Sequence, residues 1–174
     1  MSQKHVVRGV LAGVAGGLVA SWVMNEFMAG PGAKLTEAVS TPEEKAAKAR
    51  QNPGDQQDAT MKTADAITES VTGGRHLTWE QQKEGGPIVH YAFGAVMGGL
   101  YGGLAEYSDA AKTGLGTGFG SVLFVGADLV GVPAFHLGPP LTETQAHTLA
   151  TPYAAHLVYG ITTELVRRVI RLIL

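Results

Sequence analysis

Apolar residues along this chain fall into four runs, at about 6–28, 87–107, 114–135 and 148–166, separated by polar connections of very unequal length. The second run, PIVHYAFGAVMGGLYGGLAEY, begins after Lys83 and Glu84, closes at Glu106 and carries a single histidine. As a helix rising 1.5 Å per residue it is about 30 Å long, the thickness of a bilayer's hydrocarbon core. The pattern predicts an all-α polytopic membrane bundle: four transmembrane helices in a single membrane domain, 1–174, with a polar helical insertion over 30–86.

Small residues recur every four positions in two of the runs. Gly9, Gly13, Gly17, Ser21 and Asn25 form one such row, and His90, Gly94, Gly98, Gly102 and Glu106 form another. Rows of this kind let helix backbones approach closely, so the first and second helices are expected to pack on each other. Lys4 and Arg8 ahead of the first run resemble the start of a secretory signal, but no convincing small-x-small cleavage site follows. A retained anchor helix is expected there.

The 30–86 segment is too long for an ordinary loop. Thr41 or Pro42 can open a short helix through Glu43, Glu44, Lys45 and Lys48, stopped by Asn52-Pro53-Gly54. A second helix is expected from Asp58 to about Val71, with Met61, Ala64, Ile67 and Val71 on one stripe. Ser108 to Lys112 reads as a turn and Leu137 to Gln145 as a proline-broken connection, while Arg167, Arg168 and Arg171 are expected to lie along the interface.

Charge distribution orients the bundle. Lys4, Arg8, Lys112 and the three terminal arginines share one side, whereas 133–147 contains no Lys or Arg. The positive-inside rule then puts both termini in the cytoplasm of a bacterial inner membrane and the insertion outside. The net charge of -2 offers no basic face for nucleic acid. Without cysteine there is no disulfide, thiolate nucleophile or thiolate-bound metal. The partners expected are the lipid bilayer and either further copies of the chain or other membrane subunits.

In this topology Asn25, Glu26, His90, Asp128, His136 and His147 lie near the outer surface, with His156 somewhat deeper. Ionisable groups inside membrane segments are costly and mark sites. The candidate proton or ion site is therefore His90, Asp128, His156 and Glu26, with carboxylates as charge and imidazoles as titratable partners. An alternative takes His90 and His156 as axial ligands of a b-type haem, or His90, His156 and Asp128 as ligands of a bound metal. Counted from the cytoplasmic helix ends the two histidines differ by about 10 Å in depth, which weighs against haem. No cofactor is the leading expectation.

His90 and Glu106 fall on nearly opposite faces and cannot share a site. Glu164 precedes Arg168 by four residues, the favourable order for a helical ion pair. Gly160 in the fourth run stands in the same H-x-x-aromatic-G pattern as Gly94, a faint internal repeat consistent with two related hairpins. The glycines from Gly114 to Gly120 sit in an apolar run rather than a phosphate-binding turn and read as packing. No catalytic residue is identified, so a non-enzymatic proton- or ion-handling unit, or an accessory subunit, is expected.

Taken together, His90 through Ala105-Glu106, Leu137-Gly138-Pro139-Pro140, and His156-Leu157-Val158 followed by Glu164, Arg167 and Arg168 resemble a family of small bacterial inner-membrane proteins, the YagU-like group. The resemblance implies a polytopic inner-membrane protein and supplies no activity.

Overall fold

The computed structural model describes residues 5–50 and 56–174; every regular element among them is helical, and Lys4 and the Asn52-Pro53-Gly54 turn lie outside them. The first apolar run forms α1 (Val6–Ala29). Gly30 then bends the chain into α2 (Pro31–Val39), where Pro31 occupies the first turn that tolerates a residue without N–H. α3 (Pro42–Ala49) follows through a capping box, in which Thr41 N–H donates to Glu44 Oε2 at 2.7 Å and Glu44 N–H to Thr41 Oγ1 at 3.3 Å. α2 has no counterpart among the expected elements, although Gly32, Leu35, Thr36 and Val39 share its less exposed face at i, i+3, i+4 and i+7.

α4 (Ala59–Thr72) is capped by Asp58, whose carboxylate accepts from Met61 N–H at 2.8 Å. It lies against α5 (Trp79–Ala105), with Met61 and Ala64 buried near Gly86 and Gly85. The expected four-residue stripe is not what packs: Ile67 and Val71 are 53% and 81% exposed. Asp65 and Thr68 continue the buried face, because positions i, i+3, i+4 and i+7 share one side of a helix. Asp65 closes the α4–α5 turn, accepting from Leu77 N–H at 2.6 Å and pairing with His76 Nδ1 at 3.0 Å. The Leu77 amide, with His76, holds the Asp65 carboxyl below the usual range, and Asp65 in turn holds His76 above the usual imidazole range.

The second apolar run is only the inner part of α5. Its start lies eight residues upstream of Pro87, at the Thr78–Gln81 capping box, so the polar 79–86 stretch belongs to the same helix. Pro87 deletes one ladder bond and does not end the helix.

The third run departs further from a straight span. A 3₁₀ turn over Ala110–Gly116 reverses the chain through the left-handed residues Gly114, Leu115 and Gly116. α6 (Thr117–Leu123) then passes into a π-helical stretch, Phe124–Gly131, and ends in α7 (Val132–Ala134). Gly116 serves two needs, a φ of 88° and an approach to Gly160 O that a Cβ would obstruct.

The fourth run becomes α8 (Ala150–Ile173), which continues through the arginine tail. Arg167 is buried instead of lying along the interface, because two carboxylates face it from the bundle. Three stretches, α1, α5 and Ala110–Ala134, are long and apolar enough to cross a membrane. α8 does not meet that criterion. Its inward face carries Thr151, His156, Thr163, Glu164 and Arg167, and this buried polarity lowers its mean hydropathy.

α1 lies between α5 and α8. Toward α5, Gly13 meets Gly98 and Gly102, and Gly17 meets Gly94; a Cβ on Gly98 would sit 2.7 Å from Gly17 Cα. Toward α8, a Cβ on Gly16 would lie 2.7 Å from Thr163 O. Ala20, Leu123 and Tyr159 form the core between helices, packed by Met24, Met97, Phe119 and Ala127.

Side chains tie the two ends of the bundle. At one end Thr36 Oγ1 donates to Thr151 Oγ1 at 2.9 Å, and His147 Nε2 lies 3.0 and 3.1 Å from the two Glu44 oxygens. The hydrogen bond from His147 is the largest of the effects that lower the Glu44 pKa. At the other end Arg171 donates to both oxygens of Glu106, at 2.7 and 3.1 Å.

Candidate functional site

Asp128 sits in the π-helical stretch and His156 on the buried face of α8, with Asp128 Oδ2 3.7 Å from His156 Nδ1. Helical side chains lean toward the N-terminus of their own helix. Since Ala110–Ala134 and α8 run antiparallel, the aspartate leans one way in depth and the histidine the other, toward each other. Close packing at Gly116–Gly160 and Gly120–His156 sets this register. π-helical turns within α-helices are frequent at functional sites.

His156 Nδ1 is 2.9 Å from Pro152 O. A carbonyl only accepts, so Nδ1 carries the hydrogen of the neutral ring and Nε2 is the basic nitrogen. A proton arriving at Nε2 creates an imidazolium opposite a carboxylate, a pair with no net charge. Phe124 packs against the ring with centroids 5.6 Å apart, and the His156 side chain is 9% exposed against 33% for Asp128. The site is thus a half-open carboxylate beside a buried imidazole.

The other sequence-predicted site residues go elsewhere. His90 Nε2 faces Ser21 O on α1 at 3.4 Å, and its ring meets Tyr91 edge-on. Glu26 is exposed on α1. His136 is exposed with φ 56°, and it closes α7 while Leu137 N–H donates to Val132 O at 2.9 Å; this is a left-handed helix cap. His147 is engaged by Glu44. Among the described residues no three His, Asp or Glu side chains converge as a metal-holding group.

A second polar cluster lies at the other end of α8, and the sequence reading caught only part of it. Glu164, fully buried, accepts from Tyr101 Oη at 2.8 Å, Arg167 Nε at 2.7 Å and Nη2 at 3.0 Å, and Arg168 Nε at 2.6 Å. Arg167 Nη1 also lies 3.9 Å from Glu106, and its guanidinium stands 6.0 Å from the centre of the Tyr101 ring. The i, i+3 spacing of Glu164 and Arg167 was available as a signal. Tyr101 was not, because its role depends on how α5 faces α8. Between the two clusters, Tyr159 Oη donates to Gly94 O at 2.6 Å and Thr163 Oγ1 to Tyr159 O at 2.8 Å.

No curated protein and no solved structure matches this chain. One family profile does match, over residues 33–165, a range that takes in most of the insertion, the π-helical stretch, His156 and Glu164. The chain therefore belongs to the family described as protein of unknown function (DUF1440).

Proposed function

We propose that this is a non-enzymatic, four-span protein of the bacterial cytoplasmic membrane that carries protons, with Asp128 and His156 as its proton-binding pair. The observation that carries the reading is the facing of these two side chains at 3.7 Å, with the imidazole buried against Phe124. Ionisable residues at such depth face bundle interiors and mark proton relays. Buried polar groups continue from His156 along the inner face of α8 through Tyr159, Thr163 and Glu164. The YagU-like resemblance of 90–106, 137–140 and 156–168 agrees with this membrane.

Support for α8 as the fourth span comes from its ends. Thr151 bonds Thr36 on the insertion side, and Arg171 bonds Glu106 at the far end of α5. α5 runs from the insertion side to the far side, Ala110–Ala134 returns, and α8 crosses in the same direction as α5, its Tyr159, Glu164 and Arg171 meeting Gly94, Tyr101 and Glu106 in turn. From Thr151 to Arg171 the helix rises about 30 Å, a full hydrocarbon thickness.

Proteoliposomes containing a pH-sensitive dye test the proton reading. After an external acid step, wild-type protein is expected to acidify the lumen faster than protein-free vesicles. Asp128→Asn and His156→Gln should fall to the protein-free rate, while Glu26→Gln, at an exposed position, keeps the wild-type rate. Wild-type vesicles as tight as protein-free ones, or full flux in both pair variants, would refute the reading.

A further inference from the structure

Between the third apolar stretch and the start of α8 lies a groove of about 420 Å³, lined by neither member of the proton pair, although its wall residue Phe124 also packs against His156. Ser121, Phe124 and Val125 form one wall, and Leu149, Ala150 and Tyr153 the other. We propose that this groove is a seat for one acyl chain of a bilayer phospholipid.

Three observations select that occupant. The first is the surroundings. Ala110–Ala134 is the least covered of the three apolar stretches, with 22% of its window buried against 39% in α1 and 33% in α5. Val122 and Val130 on the same stretch, outside the groove lining, are 71% and 58% exposed, so this side of the bundle faces hydrocarbon.

The second is the polarity of the walls. Their only side-chain polar groups are the hydroxyls of Ser121 and Tyr153, which lie 3.2 Å apart, and Ser121 Oγ also donates to Thr117 O at 2.9 Å. Both hydroxyls are already satisfied and ask nothing of a ligand. A polar metabolite would lose its own hydrogen bonds here, whereas a methylene chain loses none.

The third is direction. The groove extends from the 3₁₀ turn Ala146–Leu149, in the connection at the bundle end, to Tyr153 one turn deeper in α8. A phospholipid can leave its ester groups at that end and run its chain inward past Phe124 and Val125.

The test uses the whole protein extracted in mild detergent. Native mass spectrometry is expected to show one phospholipid retained per chain through delipidation. Val125→Trp, which fills the groove, should lose that mass, and Val122→Trp, on the open face of the same helix, should keep it. Wild-type protein in vesicles containing a phospholipid with a diazirine on the ester-proximal half of one acyl chain supplies a measurement that needs no variant. Crosslinks should concentrate on the peptides around Phe124 and Tyr153. Equal lipid loss in the two Trp variants, no retained lipid, or crosslinks spread evenly over exposed positions such as Leu100 and Leu165 would overturn the proposal. Val125→Trp leaves Asp128 and His156 in place, so failure here leaves the proton-flux result standing, and the reverse holds.

Discussion

Replacing Glu164 with alanine is expected to lower stability by about 3–5 kcal/mol, the usual cost of breaking a buried ion pair from one side. The carboxylate is fully buried and accepts hydrogen bonds from Tyr101, Arg167 and Arg168. Without it Arg168, half exposed, can turn to water or headgroups. Arg167 cannot: it is 6% exposed, and its remaining carboxylate, on Glu106, is 3.9 Å away. The cost therefore comes mainly from a guanidinium left buried and short of partners. Removing both charges with Glu164→Leu and Arg167→Leu should recover part of the loss, since no buried charge is then left unpaired and only the Tyr101 hydroxyl loses its acceptor. Unfolding equilibria in detergent measure both variants. A loss below about 1 kcal/mol for Glu164→Ala would mean that the cluster is solvated.

Gly98→Ala is the second large effect, about 1–3 kcal/mol for an added methyl in a packed interface. The new Cβ would press on Gly13 O and lie 2.7 and 2.9 Å from Gly17 Cα and N. These are backbone atoms of α1, which cannot rotate away as a side chain would. The same change at Gly126, where a Cβ meets nothing within 4 Å, is expected to stay within about 0.5 kcal/mol. Comparing the two thermal midpoints separates close helix contact from any general effect of glycine. Equal shifts would show that the α1–α5 approach carries no special cost.

The coarse architecture was legible because α1 and the inner part of α5 are long apolar runs flanked by polar residues, which is enough to identify helices able to cross a membrane. Boundaries were harder. Pro87 suggested a helix start, but in α5 the Thr78–Gln81 capping box determines it and the proline is accommodated inside. The π-helical stretch over Phe124–Gly131 has no compositional mark, since Gly, Val and Leu serve an α-helix in a membrane equally well.

At the site, Asp128 and His156 stood out as ionisable groups in apolar runs. That they face each other, while His90 turns to Ser21 and Glu26 to the exterior, depends on the register of Ala110–Ala134 against α8. Glycine contacts set that register, and a single sequence does not reveal which glycine meets which. The arginine tail misled for a related reason: cations near a helix end usually reach for phosphate, and only the fold brings Glu106 within 2.7 Å of Arg171.

The central structural claim is that α8 crosses the membrane despite the polarity of its inner face. The absence of cysteine allows a direct test, with single cysteines at Ser70, Ser108, Gln145 and Leu174 labelled by a membrane-impermeant maleimide on intact cells. The account predicts that Ser70→Cys and Gln145→Cys label from outside, while Ser108→Cys and Leu174→Cys label only after permeabilisation. Labelling of Gln145→Cys and Leu174→Cys from the same side would contradict it, because α8 would then lie along the membrane and the buried polar face could not connect its two sides.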